Sequence, residues 1–128
     1  MPILTTNGIE VRVRSYYVEK ESDPSIGQYV FSYDVQIINH NKFPVRLLKR
    51  RWEVFDALGV VKIVEGDGVL GRTPLIQPGE MHAYSSWVPL ISGLGDMVGS
   101  YLMERGDTGE RFLVDVPSFE LAAPQLLN

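Results

Sequence analysis

The feature that most constrains the fold is a hydrophobic alternation with a period of two residues, repeated along most of the chain. It is clearest in GIEVRVRSYYVE, QYVFSYDVQIIN and ERFLVDVPSFEL, where apolar side chains recur at every second position and polar ones largely fill the gaps. This period is typical of β-strands that bury one face, whereas an amphipathic helix would repeat every three or four residues. The pattern therefore predicts an all-β protein.

The spacing of these segments predicts the architecture. Turn-forming runs rich in Gly, Pro, Asn and Asp separate them, as in SDPSIG, NHNKFP, QPGE and GDTGE. About seven short strands at this spacing predict an antiparallel β-sandwich of the immunoglobulin or fibronectin type III kind, and a chain of 128 residues is expected to form one domain, residues 1–128. The predicted strands are roughly residues 8–20, 27–39, 44–57, 59–64, 80–90, 95–105 and 109–121.

Composition removes several classes of function. The chain has no cysteine, which excludes disulfides, iron–sulfur clusters and cysteine nucleophiles. Its net charge of -4 is spread along the chain, which argues against nucleic-acid binding because neutralising phosphates needs a basic face. The N-terminal segment lacks the organisation of a signal peptide, and no apolar run is long enough to span a bilayer. We therefore expect a cytoplasmic protein that does not insert into membranes.

One segment, VEGDGVLGRT at residues 64–73, matches the G-x-G-x-x-G fingerprint of dinucleotide-binding proteins through Gly66, Gly68 and Gly71. That fingerprint needs a helix that begins at its third glycine and directs its N-terminus at the pyrophosphate. Here the next residues are RTPLIQPG, and two prolines so close together are incompatible with the first turns of such a helix. The dinucleotide interpretation is therefore rejected.

Two other interpretations of this segment stay open. In the first, the glycines adopt backbone angles that an ordered loop between two strands requires. In the second, successive backbone N–H groups form an anion nest for a pyrophosphate, with Arg72 as the nearby cation. Glu65 and Asp67 oppose an anion unless a metal intervenes, and they are candidate oxygen ligands for a hard cation such as Mg²⁺.

No arrangement of residues predicts catalysis. The sequence has no G-x-S-x-G elbow, no H-x-x-x-H pair and no EF-hand loop, and its two histidines have no recognisable partner motif. A nucleophile without a positioned base is weak at neutral pH. We therefore predict no catalytic residues, no bound cofactor and no enzymatic activity.

Three residues are candidates for a partner surface: Arg50, Tyr84 and Trp87. Arg50 falls on the same predicted strand face as Trp52, so either a bulge intervenes or its guanidinium pairs with a buried carboxylate or a backbone oxygen. Tyr84 and Trp87 come near the end of one strand, where aromatic residues either fill the core or, if exposed, anchor a partner. Exposed sandwich edges also make a homodimer through strand pairing conceivable.

Several separate segments, in order and spacing, resemble the ApaG family (DUF525). They are YVFSYDVQIIN, LLKRRWEVFDALG, VEGDGVLGRTPLIQPGE, YSSWVPL, GDMVGSYLME and RFLVDVPSFELAAP. The resemblance covers about residues 5–124 and implies a bacterial single-domain member with an immunoglobulin/fibronectin type III-like fold. Two positions depart from the family pattern: Arg51 stands where histidine is frequent, and Trp87 stands where glycine is usual.

The resemblance also implies a function. Bacterial members are associated with Co²⁺ resistance and Mg²⁺ efflux, and related domains in other proteins look like protein-interaction modules. We therefore expect a non-enzymatic binding domain that acts through protein–protein contacts with an unidentified partner. The alternative is a small-molecule binder that holds a pyrophosphate-containing nucleotide, with or without Mg²⁺, at the loop of residues 64–73.

Overall fold

The computed structural model describes residues 1–126 and places nine β-strands and three single-turn 3₁₀ helices among them. The strands are β1 (Ile3–Thr6), β2 (Ile9–Tyr17), β3 (Tyr29–Asn39), β4 (Val45–Asp56), β5 (Val61–Asp67), β6 (Leu75–Ile76), β7 (Met81–Leu90), β8 (Leu94–Arg105) and β9 (Arg111–Ala122). The helical turns are Glu19–Glu21, Pro24–Ile26 and Pro124–Leu126. None of the helices in this part of the chain has the length and apolar character required to cross a membrane.

The strands form two antiparallel sheets. One has the order β1-β2-β3-β7, and the other has the order β5-β4-β8-β9, with β6 pairing with β4 beyond the end of β5. Without β1 and β6, three strands face four, as in fibronectin type III domains, so the predicted sandwich is confirmed. Both unpredicted strands are short, at four and two residues, and too little alternation fits into them to be recognised.

The core lies between the sheets and consists of the alternating residues that the sequence pattern singles out. Trp52 on β4 is at its centre, 5.5 Å from Tyr33, 6.0 Å from Phe119 and 6.3 Å from Tyr101 between ring centroids. These three pairs are edge-to-face, the arrangement that the charge distribution of aromatic rings favours. Each large side chain buried in this way contributes about 1.5–3 kcal/mol to folding.

The two sides of the sandwich, where strand edges of the two sheets meet, differ. On the first, which we call the closed side, β1 and β2 pack against β9. Asn7 Nδ2 donates to the Leu113 carbonyl oxygen at 3.1 Å, and the Ser15 hydroxyl donates to the Glu120 carbonyl oxygen at 3.0 Å. On the second, the open side, β5 and β7 are the edge strands, and within residues 1–126 no hydrogen bond joins them. The open side is therefore where sheet edges remain accessible.

Candidate functional site

The glycine segment folds back on itself at the end of β5 and returns the chain to the same edge of β4. The Gly68 N–H donates to the Leu48 carbonyl oxygen at 2.7 Å. Val69 and Arg72 exchange backbone hydrogen bonds, at 2.9 Å from the Val69 N–H and at 3.0 Å from the Arg72 N–H. An anion nest requires backbone N–H groups that are free and point at one centre. Three N–H groups of this segment are instead already hydrogen-bonded inside the fold, so they are not available to an anion.

Each glycine of the motif has its own structural cause. A Cβ at Gly66 would lie 2.8 Å from Nη1 of Arg50, so the guanidinium lies where a side chain would be. Gly68 has a φ of 57°, and a Cβ there would overlap the Arg72 carbonyl oxygen. Gly71 has a φ of 76° in the tight turn and borders open space. Close approach explains the first glycine and left-handed backbone explains the other two.

The loop between β5 and β6 leaves few hydrogen-bond donors for a ligand. Within residues 1–126, the N–H groups of Leu70 and Gly71 make no backbone hydrogen bond, and both residues lie at the exposed tip of the turn. Arg72 is also exposed, and its side chain makes no hydrogen bond or ion pair within residues 1–126. The structure thus places Gly66, Gly68, Gly71 and Arg72 in one ordered loop, but it directs most of the loop's donors inward.

The candidate metal ligands face arginine and lysine. Glu65 accepts a hydrogen bond of 2.8 Å from Arg51 Nε, and Asp67 lies opposite Lys49 in the β4–β5 register. Hydrogen bonds to Glu53 and Glu65 raise the pKa of Arg51. Among residues 1–126, no three His, Cys, Asp or Glu side chains come close enough together to hold a metal ion. Glu65 therefore belongs to a surface ion-pair network with Arg51 and Glu53, which usually contributes little to stability.

Arg50 lies on the inward face of β4 and pairs with backbone oxygens, which is one of the alternatives that the sequence left open. A bulge between Leu47 and Lys49 shifts the strand register, so that Leu47 faces the core while Arg50 stays on the face of Trp52. Arg50 Nη1 then donates to the carbonyl oxygens of Asp67 at 3.0 Å and Gly68 at 3.1 Å. The half-buried guanidinium therefore binds the glycine loop by its backbone, and no carboxylate within residues 1–126 forms an ion pair with it.

A cleft of about 260 Å³ lies beside Arg50 on the open side, between β5 and β7. We call it the open cleft. Its remaining lining residues are apolar, and its polar and aromatic ones are Tyr33, Arg50, core Trp52, Lys62, Ser86 and Trp87. Lys62 and Ser86 were not among the predicted site residues, although the alternation places each on the inward face of its strand, where polar side chains are unexpected.

The two aromatic candidates on β7 point in opposite directions. Tyr84 is only 9% exposed, and its hydroxyl is hydrogen-bonded to that of Tyr101 inside the core. Burial raises the pKa of both phenols. The structure therefore corrects the assignment of Tyr84 to a partner surface: it lies on the inward face of the strand. Trp87, three residues later, is on the outward face and 66% exposed.

The backbone of β7 offers an unpaired edge on the same side. The Asn39 N–H donates to the Glu80 carbonyl oxygen, and with the β3–β7 register this directs the N–H and C=O groups of even-numbered β7 residues toward β3. Those of Ala83, Ser85 and Trp87 therefore point away from the sheet. Pro89, also odd-numbered, has no N–H, and this ends the usable edge.

Comparison with known proteins gives consistent results. The ApaG domain (DUF525) family matches residues 19–105. The chain is 45% identical to Protein ApaG of Sinorhizobium fredii over 123 residues, covering 96% of this chain and 94% of the relative, and 42% identical to Protein ApaG of Brucella abortus over 120 residues, covering 94% and 92%. A crystal structure of a Bordetella pertussis protein, solved under the name ApaA, superposes with a TM-score of 0.88 at 38% identity over 97% of both chains.

Proposed function

Because the chain belongs to the ApaG family, we propose that it is a non-enzymatic protein-binding module of the cytoplasm, which recognises its partner along the open side of the sandwich. The observation that carries this proposal is Trp87. A tryptophan that is 66% exposed on an edge strand leaves a large apolar surface in water. Tryptophan is enriched among the residues that dominate binding energy at protein interfaces.

Two further features of the open side support the proposal. Edge strand β7 presents free backbone donors and acceptors, which an extended segment of another protein can use by adding a strand. Trp87 also borders a second groove, of about 580 Å³, formed with Val18, Val30 and Pro89 on the outer face of its sheet. The exposed Trp87 side chain thus has a recess on each side. Such a surface offers a partner both shape complementarity and surface area to bury.

The physiological role that we propose is the one implied by the family, in Co²⁺ resistance and Mg²⁺ efflux. In this proposal the domain acts on that process through a protein partner. No cluster of three potential metal ligands exists in the described part of the chain, and a direct Mg²⁺ site of protein ligands needs several oxygens in octahedral geometry.

The geometry gives less support to the alternative, a pyrophosphate-containing nucleotide at residues 64–73. Such a ligand would have only the amides at the turn tip and the Arg72 side chain, with Glu65 and Asp67 nearby on β5. NMR titration with diadenosine tetraphosphate, with and without Mg²⁺, tests it directly. Chemical shift changes confined to this loop and lost in Arg72→Ala would establish the alternative.

The proposed function is tested by site-specific photo-crosslinking in cells of the source organism. A photoreactive phenylalanine analogue at position 87 is expected to capture a discrete partner band, whereas the same analogue at Leu113 is not. Leu113 is a matched control because it is 61% exposed and lies on β9, which is in the other sheet from β7 and at the edge opposite β5. Crosslinks only to a second copy of the chain would indicate a homodimer through strand edges. Equal, diffuse labelling at both positions would contradict a recognition surface at Trp87.

A further inference from the structure

We propose that the open cleft binds the carboxylate side chain of an extended acidic peptide segment, which adds to β7 as a further strand. This inference rests on the proposed function, because it names the chemistry of the partner that the open side recognises. It is a different site from the glycine loop: the loop contributes backbone oxygens behind Arg50, while the ligand contacts the guanidinium from the cleft.

The charge of the cleft is opposite to that of the whole chain. The chain carries a net charge of -4, yet Arg50 and Lys62 line the cleft and no carboxylate of the described residues does. Asp56, at an adjoining recess on the same side, accepts hydrogen bonds from the N–H groups of Leu58 and Ile91 and is not directed at Arg50. An acidic ligand would therefore meet two cations without competition from a carboxylate in the lining.

The guanidinium of Arg50 is held in place for such a ligand. Nη1 donates to two backbone oxygens, while Nε and Nη2 make no hydrogen bond within residues 1–126. These two nitrogens form the edge of the fork that binds a carboxylate in bidentate fashion. The Arg50 side chain packs over Gly66, so it loses little conformational freedom when a ligand binds. Because this entropy cost is small, a ligand binds more tightly to the preorganised pair of donors.

The edge of β7 directs alternate side chains of an added strand into the cleft. A segment that pairs with the free groups of Ala83, Ser85 and Trp87 must point every second side chain between the sheets. Such a side chain meets the neutral phenol of Tyr33, whose pKa is raised by burial, together with Arg50 and Lys62. Its neighbours in the segment lie on the outer face, where Trp87 is exposed. The expected ligand is therefore an alternating segment with one inward Asp or Glu.

The test uses three blocked heptapeptides that differ only at the centre: Thr-Val-Thr-X-Thr-Val-Thr, where X is Glu, Gln or Lys. Binding to the full chain is measured by NMR, including the Arg Nε–H signals. The Glu peptide is expected to bind about tenfold more tightly than the Gln peptide, because a charge-assisted bidentate pair is stronger than a neutral one, and the Lys peptide more weakly still. The Nε–H signal of Arg50 is expected to shift only with the Glu peptide.

Variants assign the effect to the cleft. Arg50→Gln is expected to abolish the preference for Glu over Gln, and Lys62→Gln, a change at an exposed side chain, to reduce it about threefold. Arg51→Gln is the matched control, since Arg51 neighbours Arg50 but faces the opposite side of the sheet, and it should leave the preference intact. Equal binding of all three peptides, dependent on Trp87, would overturn the acidic specificity and leave the proposed function standing. Absence of binding by every peptide would overturn strand addition, and absence of crosslinks at position 87 as well would overturn both proposals.

Discussion

The closed and open sides of this sandwich treat their strand edges in opposite ways. On the closed side, β1 extends one sheet by a strand, and side chains such as Asn7 and Ser15 donate to backbone oxygens of β9 across the gap. On the open side, β5 and β7 stay apart, and Arg50, a long polar side chain that lines the cleft between them, binds the loop of its own sheet. One side is built by contacts between the sheets, and the other is built within a single sheet.

The difference shows how an exposed edge is kept from indiscriminate pairing. Natural sheets limit such edges with prolines, charged residues and bulges. The open side has Pro89 on β7 and Lys62 on β5. The accessible part of β7 is thus short and lies next to Trp87. An edge restricted in this way is suited to a specific partner, whereas the closed side contributes mainly to stability.

The largest expected loss of stability comes from a substitution on the open side, at Gly68. Gly68→Ala forces an alanine into a left-handed conformation and drives its Cβ into the Arg72 carbonyl oxygen. Backbone strain and overpacking together are expected to cost about 3 kcal/mol of unfolding free energy, measured by urea denaturation. Hydrogen exchange should show protection lost first in β5 and β6, with β2 and β9 retaining it.

Gly71→Ala is the control within the same motif. Gly71 shares the positive φ but borders open space, so the substitution is expected to cost only about 1 kcal/mol. Equal costs at the two positions would show that the overlap with Arg72 does not decide the conformation of the loop.

The comparison also shows what the sequence could predict of the fold. Alternation and turn-forming runs together located all seven principal strands to within about three residues, because burying one face of a strand imposes a period of two on residue type. It missed β1, whose residues are nearly all exposed, and β6, which is two residues long. Neither strand buries enough side chains on one face to require an alternation of apolar and polar residues.

The site was less predictable, because it depends on which distant residues meet. The sequence identified Arg50 as a polar residue on an inward face and left three alternatives: a bulge, a buried carboxylate or a backbone oxygen. In the structure Arg50 stays on that face and donates to backbone oxygens. Position 66 requires a glycine because the guanidinium of Arg50 packs over it. The sequence could not show this reason, because the contact joins residues of two different strands. For Tyr84 and Trp87, three residues of separation in a strand already places them on opposite faces. Grouping the two as one surface overlooked that constraint.

A second prediction tests Arg50 as the residue that organises the open side. Arg50→Met keeps the apolar stem but removes the donor to the Asp67 and Gly68 carbonyl oxygens. Hydrogen bonds to a charged group typically contribute 1.5–3 kcal/mol, so a loss of about 2 kcal/mol is expected. Arg51→Met, at an exposed and solvent-screened ion pair, is expected to leave the urea midpoint nearly unchanged. Indistinguishable midpoints for the two variants in urea would contradict the role given to Arg50.

A third prediction weakens the closed side by a smaller amount. Asn7→Ala removes the bond from Nδ2 to the Leu113 carbonyl oxygen and replaces an asparagine at a φ of 49° in the turn between β1 and β2. The expected cost is about 1 kcal/mol, with faster hydrogen exchange in β1 but unchanged exchange in β5. Thr5→Ala, at an exposed position on β1, is the control. If β5 loosens as much as β1, the closed and open sides are not independent of each other.

The smallest expected effect is a pH dependence at His82, on the inward face of β7. Burial and then the positive charge of Arg72 lower the pKa of His82 below its usual 6.5. As the pH falls below about 6.5, the unfolded chain therefore takes up a proton at this residue before the folded chain does, and the free energy of unfolding decreases until the pH falls below the folded pKa. Urea denaturation at pH 7.5 and 5.5 should show a larger loss for the wild type than for His82→Gln. Arg72→Gln should give an intermediate loss, because burial remains while the repulsion is gone. Identical losses in the wild type and His82→Gln would show that the histidine is equally protonated in both states, and that the interior of the open side is more hydrated than its burial indicates.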